Sequence, residues 1–188
     1  MKGGGRTRKY FLAANWKSNG NTQFVKEIIT HLINSFEYDP KKIDLLILPG
    51  ALHISLVQAM VAPNVQVGAQ NLSAHPAGAF TGEVAAEHLR DYGINWALIG
   101  HSQRRVLFGE TQETCAEKVK LARAQGMGVI LCLGENLEQR DKELTGKVLD
   151  EQLESYAQAL NGDWNHVVLA YEPIWAMATG RIASADQT

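Results

Sequence analysis

Two cysteines in 188 residues, Cys115 and Cys132, have neither a CxxC spacing nor a cysteine-rich context. That excludes a disulfide framework and suits a chain kept in a reducing compartment, where both are expected to be small buried hydrophobes. Neither sign of charge prevails, since 18 Lys and Arg stand scattered against 20 Asp and Glu. Long-range attraction to nucleic acid or to an anionic membrane is therefore not expected, while a local positive site for a small anion is compatible with the balance. A long apolar run is missing as well. None follows the basic, glycine-rich amino end MKGGGRTRKY before Asn15, so residues 1–9 are expected to be a flexible leader, neither a secretory signal nor a membrane anchor. The six histidines are dispersed. His53, His75, His88 and His166 fall in helix or loop contexts and are read as surface or packing residues, and no metal-ligand spacing competes with the reading below.

What the chain does have is core material: 45% of its residues are apolar, ample for one large domain or a small pair. Short apolar runs alternate with amphipathic helical stretches. Strands are expected over residues 10–14, 43–48, 65–69, 96–99 and 127–133, and again from 167. Between them, a helix of about four turns is expected from near Thr22, with Phe24, Val25, Ile28, Ile29, Leu32 and Ile33 on one face. Further helices are expected over residues 53–61, over 83–92 closed by Gly93, over 114–125 closed by Gly126, and over 136–160 with a break at Gly146. The loop from Gln70 to Gly82, rich in Ser, Ala, Pro and Gly, is long for a compact domain and reads as functional or as part of an interface.

Six strand-helix units in strict alternation imply an α/β fold of parallel strands joined by right-handed crossovers. The strands are apolar along their length rather than alternating, as expected when both faces are buried. An open doubly wound sheet and a barrel both fit. An open nucleotide-binding sheet would carry a glycine fingerprint after its first strand, where this chain has Asn15-Trp16-Lys17, so a barrel is favoured. Ser184-Ala185-Asp186-Gln187 has the form of a capping box, and a helix is expected to start there. Because a parallel barrel needs eight strands, the chain is expected to be cut off, with residues 10–188 a single incomplete barrel domain holding six of the eight.

Three ionisable residues fall at carboxyl ends of expected strands. Lys17 lies beyond the first, His101 beyond the fourth, and Glu172 at the end of the sixth. Singly, each is weak: such a Lys or Glu is usually solvated, and a lone His often only bonds a neighbour. Their coincidence at one end of separate units points to a site. Pro173 biases Glu172 toward extended backbone, and the small residues Ala176, Met177, Ala178, Thr179 and Gly180 lie between stiffer flanks, as a closing lid needs. A carboxylate, an imidazole and an ammonium suit proton transfer beside a carbonyl. Glu172 could take a proton from carbon, His101 could polarise or protonate the oxygen, and Lys17 could hold the developing negative charge.

At this point the residues resemble a known family. Ala14-Asn15-Trp16-Lys17, Gly78-Ala79-Phe80-Thr81-Gly82-Glu83, Gly100-His101-Ser102 with Arg104-Arg105, and Ala170-Tyr171-Glu172-Pro173-Ile174-Trp175-Ala176 are similar, in order and spacing, to the successive signatures of the triosephosphate isomerases. The resemblance spans residues 10–188. It implies a (β/α)8 TIM barrel, here lacking its last two strand-helix units, and interconversion of dihydroxyacetone phosphate and glyceraldehyde 3-phosphate through an enediolate without cofactor or metal. It implies Glu172 as base, His101 as neutral electrophile, Lys17 and Asn15 at the substrate, and residues 176–180 as the lid, with Ala178 supplying an amide to the phosphate. Ser102 and Gln103 are implied as supporting residues. A cytoplasmic homodimer with Thr81 in its interface completes the expectation.

Three departures from the family pattern are expected to matter. Gln103 stands where the family has a glutamate, which removes a negative charge near Lys17; turnover should fall, and Gln103→Glu in a full-length context should raise it. Ala178 replaces the lid's first glycine and resists positive φ, so substrate affinity of Ala178→Gly tests lid closure. The missing strand-helix units leave the phosphate site incomplete, and the 188-residue chain alone is expected to be inactive. The alternative from another class is a non-catalytic truncated relative or splice product that serves as a binding or assembly scaffold.

Overall fold

Six parallel strands carry the architecture, in two sheets of three ordered β1-β2-β3 and β4-β5-β6. The computed structural model describes residues 8–177, 180 and 182–187. The chain divides into two compact units, one ending at Gln70 and the other starting at Asn71, each holding one sheet.

In the first unit, β1 (Tyr10–Asn15) pairs along its whole length with β2 (Ile43–Leu48), and β2 pairs with β3 (Val65–Val67). Leu45, Leu46, Ile47 and Leu48 are all buried, so β2 is covered on both faces, as a parallel strand beneath helices should be. The covering helix α1 (Thr22–Ile28) starts at an Asn21 side chain that accepts the Phe24 N–H, satisfying one of the donors a helix start leaves open. It runs on into a wider π-type turn, Ile29–Ile33. A 3-10 turn, Ala51–His53, leads into α2 (Ile54–Met60). Val25, Ile29, Leu45, Ile47, Val57 and Val65 form the core, each worth roughly 1.5–3 kcal/mol of transfer free energy when fully buried.

In the second unit the order is α3 (Ala86–Asp91), β4 (Trp96–Ile99), α4 (Ser102–Phe108), α5 (Gln112–Ala124), β5 (Gly128–Leu133), α6 (Leu137–Asp141), α7 (Thr145–Leu160) and β6 (Val167–Tyr171). Short 3-10 turns follow at Ile174–Ala176 and Ala185–Gln187. Every residue of β5, the central strand, is buried. Helices α5 and α7 pack on each other and on β5, burying Cys115, Val119 and Ala122 from one and Val148, Tyr156, Ala159 and Leu160 from the other. No helix among the described residues is long and apolar enough to cross a membrane.

All six expected strands form, and most differences lie at their edges. The third stops at Val67 rather than Ala69, and the third helix starts at Ala86 rather than Glu83. Helix α4 was not expected: its Val106, Leu107 and Phe108 are exposed, so no apolar stripe announces it. Gly109, at φ 67, stops it and separates it from α5. The break in the long charged region falls at residues 142–144, where Glu143 takes φ 57, and Gly146 lies inside α7. At residues 184–187 one half of the expected capping box is present, with Gln187 Oε1 accepting the Ser184 N–H at 3.0 Å.

Candidate active site

Each unit carries part of the expected set. In the first, Asn15 closes β1, and its Oδ1 accepts the Lys17 N–H at 2.9 Å. Lys17 is left-handed, at φ 54. An L-residue there costs of order 1–2 kcal/mol, so its surroundings must hold it. Besides Asn15, the Gln70 amide does so, donating to the carbonyls of Lys17 and Leu48, both at 2.8 Å. Gln70 appeared in the sequence only as the start of a long loop. In the fold it fastens the Lys17 turn to the end of β2.

In the second unit, His101 and Glu172 meet. Gly100, at φ 73, turns the chain sharply off β4, and His101 then serves as the N-cap of α4. The imidazole Nδ1 accepts the Gln103 backbone N–H at 3.2 Å. A backbone amide can only donate, so the ring proton belongs on Nε2, which faces Glu172 Oε1 at 2.9 Å. Glu172 follows β6, and its N–H bonds the Leu133 carbonyl at 2.8 Å, which carries the sheet one residue past the strand. Its Oε2 accepts the Ser102 N–H at 2.8 Å and its Oε1 lies 3.4 Å from Ser102 Oγ. The side chains of His101 and Glu172 are 11% and 14% exposed, dry enough for charge-assisted bonds to count yet still open on one side. Burial acts to raise the Glu172 pKa, but the bonds from His101 and Ser102 outweigh it, and the carboxyl sits below its ordinary value of 4.5. Beside it, burial first and the Glu172 carboxylate second push the Cys132 thiol far up. Cys115 and Cys132 are both buried and free, as the sequence suggested.

Behind Glu172 lies a carboxylate that the sequence reading passed over. Glu135, fully buried, accepts from Arg140 Nη1 at 3.1 Å, Thr145 Oγ1 at 3.1 Å and the Tyr171 hydroxyl at 3.0 Å. The Arg140 guanidinium lies 4.7 Å from the Trp175 ring centre, within cation–π range. Tyr171 and Trp175 flank Glu172 in sequence, so this cluster anchors the stem of the catalytic candidate on both sides. Glu135 stands two residues beyond the end of β5, and the strand-end criterion that picked out His101 and Glu172 would have found it.

Of the expected lid, Ala176 ends the 3-10 turn, Met177 is 36% exposed, and Gly180 is left-handed at φ 77. Ala178 and Thr179 lie outside the described residues. Gln103 contributes its backbone to His101 while its side chain is exposed. Thr81 is exposed in a loop where His75 stacks on Phe80 with ring centres 4.3 Å apart. It lines a cleft of about 390 Å³ floored by Glu110, Lys118 and Asn71.

The family model described as Triosephosphate isomerase matches residues 10–188. A Triosephosphate isomerase of Paracoccidioides lutzii is 45% identical over 181 residues, 96% of this chain and 72% of that protein. A protein named Triosephosphate isomerase, cytosolic, of Oryza sativa subsp. japonica is 41% identical over 180 residues, 96% of this chain and 71% of its own length. A Triosephosphate isomerase of Magnetococcus marinus is 42% identical, over 96% of this chain and 72% of that protein.

Proposed function

The chain belongs to the triosephosphate isomerase family of enzymes, and from that premise we propose that Glu172 and His101 exchange protons with a phosphorylated triose. The observation that carries the proposal is the 2.9 Å contact between His101 Nε2 and Glu172 Oε1 at the ends of two strands of one sheet. A carboxylate base and a neutral N–H donor side by side are what proton transfer next to a carbonyl requires.

In this reading the substrate enters between the two groups. Its carbonyl oxygen takes the place of Glu172 Oε1 as acceptor of the Nε2 proton. Glu172 removes the proton from the neighbouring carbon, and the electrons of the broken C–H bond form the enediolate. His101 gives its Nε2 proton to the former carbonyl oxygen and takes the hydroxyl proton from the neighbouring oxygen, and Glu172 then returns its proton to the former carbonyl carbon, which gives the isomeric product with no net change in charge. The proton on Nε2, fixed by the Gln103 N–H on the other ring nitrogen, lets His101 polarise the oxygen without first adding a charge to the site. Lys17 and Asn15 meet the anionic substrate, and the left-handed backbone held by Asn15 and Gln70 aims Lys17. Residues 176–180 close over the phosphate, with the Ala178 amide facing it, and exclude water.

We read the two parallel sheets as consecutive parts of one α/β barrel domain over residues 10–188, preceded by a leader. Thr81 is read as part of a homodimer interface and the protein as cytosolic, the location that the name of the rice relative gives for that protein. No cofactor enters the chemistry.

The test is turnover of glyceraldehyde 3-phosphate to dihydroxyacetone phosphate by the protein as encoded, beside its Glu172→Gln variant. The expected loss of kcat is about 10²–10⁴-fold, the usual share of a general base. A folded wild-type protein without turnover, and without protection against heat by a phosphate-bearing enediolate mimic, would instead favour the scaffold role.

A further inference from the structure

We propose that Tyr156, one helix away from the His101–Glu172 pair and absent from its contacts, is a positioning residue that sets the spacing of the two strand ends from which the pair projects. The inference rests on the isomerase reading for its kinetic readout only.

Tyr156 lies on α7 and is fully buried. Its hydroxyl bridges α4 and β5. It accepts from Arg105 Nη2 at 2.7 Å and donates to the Cys132 carbonyl on β5 at 3.0 Å. Arg105, in α4, donates from Nε to the Gly100 carbonyl at 2.8 Å, immediately before His101. The Cys132 carbonyl immediately precedes Leu133, whose own carbonyl accepts the Glu172 N–H. A single hydroxyl thus links the residue before His101 to the strand that holds the Glu172 backbone. Burial holds the phenol in its protonated form, which keeps the donor to Cys132 in place at any working pH.

The site is also closed to alternatives. A β-carbon on Gly100 would lie 2.3 Å from the Tyr156 hydroxyl and 2.8 Å from Arg105 Nη2. The left-handed turn at Gly100 and the hydroxyl are therefore fitted to one another. Without the hydroxyl, Arg105 loses a partner and the Cys132 carbonyl is left unpaired in the interior. The Gly100 turn is then free to shift against β5, and the His101 ring shifts with it. Catalysis is sensitive to such a shift, since about 1 Å of misplacement can cost on the order of 100-fold in rate.

The experiment is Tyr156→Phe, which keeps the ring and its packing and removes only the oxygen. Two readouts are taken on the full protein: kcat and KM for glyceraldehyde 3-phosphate, and the imidazole nitrogen and Nε2 proton resonances of His101 in the free enzyme. The expected result is a fall in kcat of about 10-fold with KM within about twofold, together with moved His101 resonances. A lower melting temperature with unchanged kcat and unmoved resonances would overturn the proposal and leave Tyr156 a packing residue. If the wild-type protein shows no turnover, the isomerase reading fails, and the resonances alone decide the positioning claim. If Tyr156→Phe does not fold, Arg105→Lys, which keeps the charge and removes the two-pronged donor, should move the same resonances, and unmoved resonances there would sink the idea.

Discussion

The backbone carbonyl of Glu172 lies 1.9 Å from the point that a β-carbon on Gly134 would occupy. Gly134 needs no unusual φ; it is a glycine because the Glu172 main chain rests on its Cα. Gln152 clamps the same residue, accepting the Gly134 N–H at 2.9 Å and donating to its carbonyl at 3.3 Å. Gly134→Ala cannot be absorbed by a side chain moving aside, because the obstacle is backbone. Displacement of Glu172 and a loss of roughly 1–3 kcal/mol of stability are expected, the usual scale for overpacking. Urea unfolding and kcat check it, with kcat expected to fall further than the stability loss alone would explain.

A second prediction concerns the floor of the cleft beside Thr81. Arg104 Nε and Lys118 Nζ both donate to Glu110 Oε1, the latter at 2.5 Å, and Lys118 also donates to Asn71 at 2.7 Å. The Lys118 and Glu110 side chains are 5% and 6% exposed. Glu110→Ala would leave the Lys118 charge buried without its counter-ion, at a cost of roughly 3–5 kcal/mol. Adding Lys118→Met should recover much of that, because the uncompensated charge goes with the lysine. A double-mutant cycle by urea unfolding measures the coupling, and an unrecovered double variant would mean that Glu110 acts through something other than Lys118.

Strands, their parallel sense and the strand-end residues were legible because they rest on apolar runs and on punctuation by Gly and Pro, which act locally. The partners of those residues were not, since Gln70 to Lys17 spans 53 positions and Ser102 to Glu172 spans 70, and no periodicity records a contact at such range. Helix α4 was missed because its exposed Val106, Leu107 and Phe108 give it no buried stripe to detect. Glu135 was missed because a charged residue is usually assigned to the surface, whereas three donors, from Arg140, Thr145 and Tyr171, let this one be buried completely. His101 and Glu172 were singled out because ionisable residues coincided at expected strand ends and the order of motifs was specific, and in the fold their side chains lie 2.9 Å apart.

The pH dependence of stability follows from Glu172. Its folded pKa lies below 4.5, with burial opposed and overcome by the bonds from His101 and Ser102. A depressed carboxyl contributes stability that is fully present above the unfolded value and is lost as pH falls through the folded value. The stability difference between wild type and Glu172→Gln should therefore be constant above pH 4.5 apart from other titrations, and should shrink as the pH drops below it. Urea titrations of both proteins across that range check the sign. A difference that grew on acidification would mean that the carboxyl is raised rather than lowered.

Lys17 offers the clearest separation of function from stability. Its φ of 54 is a cost borne by the fold, of order 1–2 kcal/mol for a residue with a β-carbon. Glycine adopts that conformation freely but loses more entropy on folding, roughly 0.5–1 kcal/mol relative to alanine. The two nearly offset, with relief of strain the larger, so Lys17→Gly should leave stability unchanged or raise it by up to about 1 kcal/mol. Lys17→Ala keeps the strain and should gain nothing. Both remove the ammonium group, so both should lose turnover and affinity for a triose phosphate alike. Melting curves and kcat/KM for the two variants test this together. A Lys17→Gly protein that unfolds more readily than Lys17→Ala would show that the left-handed turn is held by its neighbours without strain, and that the backbone at Lys17 is not stored for the site.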